Sequence, residues 1–185
     1  MSCSFDYNRI IDKYYPADLA AGGILRIHSR AVADEALAIA ARLKLNFDSS
    51  DIEAAAMLHD IGIVRTNAPG IGCYGSAPYL CHGPIGADLL RAEGAPEAYA
   101  LVAERHTGAG LTPHDIDSLQ LPMPAGRVYM PQSLLEKLIC YADCYYSKSG
   151  DMRRKEQARV EASMAKFGPD ILARFLELHR FFNRS

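Results

Sequence analysis

Apolar residues recur at intervals of three and four along most of this 185-residue chain, and at several points the recurring position is taken by His or Asp. The period commits the chain to helices with one buried face. The interruptions ask that face to do something other than pack. In "ILRIHSRAVADEALAIAARLKL" the series Leu25, His28, Val32, Ala36, Ile39, Leu43 predicts a helix that turns His28 inward. In "SSDIEAAAMLHDIG" Ser50 and Glu53 have capping-box spacing, Ile52, Ala56 and His59 share a face, and Asp60 follows Ala56 by four. Gly62 reads as the stop signal of that helix. "APEAYALVAERHTGAG" places Ala95, Tyr99, Val102 and His106 on one face and ends at Gly108. In "MPQSLLEKLICYADCYYSK" Leu135, Ile139, Ala142 and Tyr146 form a stripe that Asp143 interrupts. His82 stands just ahead of the helix "HGPIGADLLRAEG".

Two closing helices are expected over about 151–167 and 169–182, and residues 64–81 and 108–130 read as loops rich in Gly and Pro. The expected fold is therefore all-α, a helical bundle in one domain over 1–185. Its core spans about 24–149 and its C-terminal helices about 151–182. Lys and Arg total 20 against 22 Asp and Glu, so no global positive field draws in nucleic acid or an acidic membrane. The five cysteines (Cys3, Cys73, Cys81, Cys140, Cys144) contain no C-x-x-C pair, which favours reduced thiols, with Cys140 and Cys144 as helix packing. Neither a leader-like N-terminus nor a membrane-length apolar run is seen, so a cytoplasmic protein is expected.

Burying an unpaired carboxylate costs several kcal/mol, roughly, unless a cation or partner offsets it. His28, His59, Asp60, His82, His106 and Asp143 meet that condition together if they surround divalent metal. Imidazole and carboxylate ligands suit first-row ions such as iron, manganese or zinc, and a set without thiolate is not that of a structural zinc site.

The order H…HD…H…H…D, with "HDIG" at 59–62, resembles the HD superfamily of metal-dependent phosphohydrolases from about His28 to Asp143. "HGPIGADLL", "RHTGAGLT" and "LLEKLICYADCYYSK" are most similar to the small HDIG-domain proteins, and somewhat to HD hydrolases that split diadenosine tetraphosphate symmetrically. The resemblance implies that His28, His59, Asp60 and Asp143 hold one metal while His82 and His106 bind a second, bridged through Asp60. It also implies hydrolysis of a nucleotide or other small phosphate ester or anhydride by a metal-activated water, with Asp60 and His59 at the catalytic centre. Two ions, iron or manganese among the candidates, are the implied cofactors.

A dinuclear iron oxygenase and a non-catalytic, metal-stabilised regulatory module are the alternatives. Homo-oligomerisation stays open. Many members carry Lys shortly after the HD pair, whereas here Ile63, Val64 and Arg65 follow, and the G-Y-P triplet of cyclic-di-GMP phosphodiesterases is absent. Arg65 is a candidate phosphate contact in place of that Lys, its alternative being a surface arginine. Lys148, five residues past Asp143, is another, although a solvated helix end is the plainer reading. Tyr74, with Tyr79, is a candidate to stack on a base. Arg105 projects away from His106, and Arg153, Arg154 and Lys155 read as a solvated face.

Overall fold

The computed structural model describes residues 5–184, so the expectation for Cys3 lies outside them. Among the described residues the chain is all-α apart from one two-stranded ribbon. In chain order the helices are α1 (Tyr7–Tyr14), α2 (Ala20–Arg42), α3 (Ser49–Leu58), α4 (His82–Ala92) and α5 (Glu97–Arg105). They continue as α6 (Pro113–Ser118), α7 (Leu134–Asp143), α8 (Gln157–Ala165) and α9 (Pro169–Phe182).

The centre of the molecule is α3, where Ile52 and Ala54 to Leu58 are all buried. The three consecutive alanines explain how a helix can be enclosed on nearly every side: small side chains let neighbours approach from all directions. Those neighbours are α1, α2, α5 and α7. The stripe expected on α2 is buried at Leu25, His28, Val32, Ala36 and Ile39, and Leu43 packs at its edge. On α5, Tyr99 and Val102 are buried as expected.

Several local expectations are corrected. Asp48, not Ser50, caps α3 by accepting from the Ser50 amide at 2.9 Å. Glu53 instead accepts from Tyr7 Oη at 2.7 Å and Arg30 Nη1 at 2.8 Å, joining α1 and α2 to α3. Gly62 does not stop the helix, since α3 has already ended and Gly62 lies in the buried first half of a 3₁₀ turn over Ile61–Arg65. Its lack of a side chain serves packing: a Cβ there would stand 2.1 Å from the carbonyl oxygen of His82 and 2.4 Å from the amide nitrogen of Gly86. The HD turn and the start of α4 are thus pressed backbone to backbone.

Residues 64–81 form an ordered hairpin in which β1 (Asn67–Ala68) pairs antiparallel with β2 (Cys73–Tyr74). The helix expected to run on past Asp143 ends there, and the chain then turns through residues 144–150. Of the supposed solvated face, Arg154 ion-pairs with Glu35 at 2.9 Å and lies 4.1 Å over the Tyr145 ring, and Lys155 is partly buried. Cys140 and Cys144 donate from Sγ to the Gly108 carbonyl at 3.3 and 3.1 Å, tying α7 to the segment after His106.

Candidate metal centre

Three helices end at one place. His59 caps the C-terminus of α3, His106 caps that of α5, and Asp143 is the last residue of α7. Free carbonyls and the helix dipole give each such end a partial negative charge, so the convergence favours a cation before any side chain is counted. His28 reaches the same spot from the middle of α2, and His82 from the first position of α4.

Asp60 lies at the middle of the group and divides its two oxygens. Oδ2 is 3.2 Å from His28 Nε2 and 3.1 Å from His59 Nε2, while Oδ1 is 3.4 Å from both His82 Nε2 and His106 Nε2. Asp143 Oδ1 completes the first side, 2.9 Å from His28 Nε2 and 3.5 Å from His59 Nε2. The six side chains therefore fall into two sets, His28, His59, Asp60 and Asp143 on one side and Asp60, His82 and His106 on the other. Within each set the ligand atoms lie no more than 4.8 Å apart.

The chemistry of this donor set fits metal. His59, His82 and His106 each bring Nδ1 within hydrogen-bonding distance of the carbonyl three residues earlier, at 2.6 Å to Ala56, 2.6 Å to Tyr79 and 2.8 Å to Ala103. With a proton on Nδ1 making that bond, the Nε2 of each imidazole would be the atom free to ligate beside Asp60. His82 Nε2 and His106 Nε2 are 3.0 Å apart, close enough for both to ligate one cation. His59 Nε2, Asp60 Oδ1 and Asp143 Oδ1 are buried without a hydrogen-bond partner. Left uncompensated, such atoms are costly.

Protonation follows the same geometry. Burial alone would push the Asp60 and Asp143 carboxyls up, but the adjacent imidazoles and Lys148 hold both well below the usual carboxylate range. Burial pushes the His82 imidazole down to about 3 against the pull of Asp60, so it is neutral and ready to ligate. His59 is buried too, yet Asp60 and Asp143 raise it to about 10. A divalent ion must compete with that proton.

The expected substrate contacts fare differently. Arg65, at the end of the 3₁₀ turn, is exposed. Tyr74 is 80% exposed. Neither belongs to the buried cluster. Lys148 is no solvated helix end: its side chain is 15% exposed and Nζ lies 2.7 Å from Asp60 Oδ2 as an ion pair. Tyr79 ring-packs on His82, with centroids 4.8 Å apart and planes tilted by 32°. Tyr79 and Lys148 line one cavity of about 380 Å³ beside the cluster. Arg105 is committed to Glu136 at 3.0 Å.

Comparison with known proteins agrees with this geometry. Residues 25–147 match the HD domain family. A tRNA (cytidine(56)-2'-O)-methyltransferase of Thermoplasma volcanium is 34% identical over 156 residues, which is 84% of this chain and 41% of that protein. An uncharacterized protein of Methanocaldococcus jannaschii is 36% identical over 119 residues, covering 63% of this chain and 62% of its own length. This chain thus spans less than two thirds of the length of either relative. Among solved structures, the HD domain of the Listeria monocytogenes phosphodiesterase PgpH, in complex with cyclic-di-AMP, superposes with a TM-score of 0.55 at 18% identity. The superposition covers 97% of this chain and 84% of that one. No helix of the described residues is long and apolar enough to cross a membrane.

Proposed function

The chain belongs to the HD domain family, and from that premise we propose that it is a metal-dependent phosphohydrolase acting on a small phosphate ester, with a nucleotide as the favoured substrate. The observation that carries this reading is the division of Asp60 between two sets of imidazoles, Oδ2 toward His28 and His59 and Oδ1 toward His82 and His106. Such a set would hold two first-row divalent ions, with His28, His59, Asp60 and Asp143 around one and Asp60, His82 and His106 around the other. Bound there, the ions would supply an acidified water and positive charge for the phosphoryl oxygens.

The chain's own residues do the rest. Asp60 and His59 fix the geometry of the reacting centre, while the walls of α3 and α5 keep it dry and strengthen every charge interaction inside. Of the basic residues first considered for a phosphate contact, Lys148 is the one beside the cluster, its ammonium paired with Asp60 Oδ2 and able to meet a phosphoryl oxygen. The name tRNA 2'-O-methyltransferase belongs to a protein of which the shared segment is 41%, and cation ligands call for a different chemistry from methyl transfer. The cyclic-di-AMP bound by the structural neighbour is in keeping with a nucleotide substrate.

The test is metal content per chain together with phosphate release from a panel of nucleotides and sugar phosphates, for the natural protein and Asp60→Ala. Two ions per chain and a fall in turnover of about 10²–10³-fold or more in the variant are expected, with the fold retained. Equal turnover in both would refute the reading. Oxygen consumption without phosphate release would replace it with the oxygenase.

A further inference from the structure

The 3₁₀ turn that follows the HD pair is held from outside by one hydroxyl. Tyr15 ends α1, its amide donating to the Ile11 carbonyl at 2.8 Å, and it is buried. Its Oη donates to the Ile61 carbonyl at 3.2 Å and accepts from the Val64 amide at 2.8 Å. A carbonyl and an amide three residues apart are the pair that a 3₁₀ turn joins by itself. Tyr15 bridges that pair from another element, and among the described residues no side chain of any other helix bonds to the backbone of this turn. Burial pushes the phenol up, so the proton it donates stays in place. The base of the side chain is confined as well: a Cβ at Gly22 of α2 would stand 3.3 Å from Tyr15 Cβ.

What the hydroxyl holds is the short stretch between the two ligand sets. Asp60 leads directly into the turn, its carbonyl accepting from the Ile63 amide at 3.0 Å, and its carboxylate is the one that both sets share. Gly62, two residues on, packs against the His82 carbonyl and the Gly86 amide of α4. A displacement of the turn therefore moves Asp60 relative to His28 and Asp143 on one side and relative to His82 on the other. Groups standing behind a metal ligand commonly set its orientation, and here the ligand in question serves two sets at once.

We propose that Tyr15 is a positioning residue of the metal centre: by bridging Ile61 and Val64 it fixes where Asp60 stands between the two ligand sets. The inference rests on the metal-centre reading of the cluster. Tyr15 is no ligand itself and acts through the turn, so its effect is read in ligand geometry.

The experiment titrates metal-free protein with cobalt(II) in competition with a chelator and records the visible absorption of the saturated protein, which reports coordination geometry. Natural protein, Tyr15→Phe and Tyr129→Phe are compared. Tyr129 is the control, because it is buried too and its hydroxyl donates to the Pro124 carbonyl at 2.7 Å, with no bond to the HD turn. Cobalt binding about 10-fold or more weaker, with an altered absorption spectrum, is expected in Tyr15→Phe. Both are expected to stay natural in Tyr129→Phe, although each variant gives up a buried hydrogen bond. Natural affinity and spectrum in Tyr15→Phe would overturn the inference, whatever the urea midpoint, and leave the metal centre in place. Equal changes in the two variants would reduce the effect to general stability and overturn it as well. Natural protein that binds no cobalt would remove the metal-centre reading and the inference with it. If Tyr15→Phe does not fold, Gly22→Ala takes its place, since its methyl presses on Tyr15 Cβ and keeps the hydroxyl. An altered cobalt spectrum there supports the bridge, and a natural one overturns it.

Discussion

Lys148 shows how one side chain changes meaning between sequence and structure. By spacing it is a basic residue beyond a helix end, and most such residues are solvated. In the fold α7 stops at Asp143 and the chain turns back, carrying the ammonium to 2.7 Å from Asp60. The variant Lys148→Met keeps the stem and removes the charge. If Lys148 meets substrate as proposed, kcat/KM should fall about 10²-fold with metal content unchanged. Loss of metal in this variant, measured by elemental analysis, would show that Lys148 instead supports the ligand set. Helical spacing made the inward direction of His28, His59 and His106 legible from sequence, and the HD resemblance joined Asp60, His82 and Asp143 to them. The direction of Lys148, Arg65 and Tyr74 was not legible, since each sits in a turn or hairpin where no period applies.

Among the elements, the 3₁₀ turn after the HD pair carries more than its length suggests. Gly62 lets this turn meet α4 backbone to backbone, and α4 begins with a ligand, His82. Gly62→Ala is expected to destabilise the protein by about 3 kcal/mol, since the added methyl would overlap peptide atoms that cannot rotate away. The midpoint of urea unfolding checks this, and a midpoint equal to that of the natural protein would contradict the close approach. Sequence reading took Gly62 for a helix stop because Gly after an apolar run usually is one. The need for close approach depends on α4, which periodicity cannot place. It also passed over α6, although Thr112, Pro113 and Asp115 hold the signal: Thr112 and Asp115 form a reciprocal capping box, and Arg174 of α9 pairs with Asp115. A helix of six residues is too short to show a hydrophobic period.

At the scale of the whole molecule, the candidate ligands come from α2, α4, α7 and the ends of α3 and α5, so a bound ion cross-links most of the bundle. Ions present at 100 times their dissociation constant stabilise a folded protein by about 2.7 kcal/mol, which for a chain of this size raises Tm by roughly 5–10 °C. A chelator is expected to lower Tm by that amount in the natural protein and to leave Asp60→Ala unmoved. An equal shift in both would place the metal elsewhere. The all-α class was legible from the dominance of helical spacing. The stacking of α2, α5 and α7 around α3 was not, because periodicity says which face is buried and never against what.

Finally, each of His59, His82 and His106 is tethered by Nδ1 to a carbonyl only three residues back. The orientation of these rings is therefore made within a single turn of chain, on the microsecond or faster timescale at which local helix forms. The aim of each imidazole is thus a local matter, and only the distance between them is left to the long-range fold.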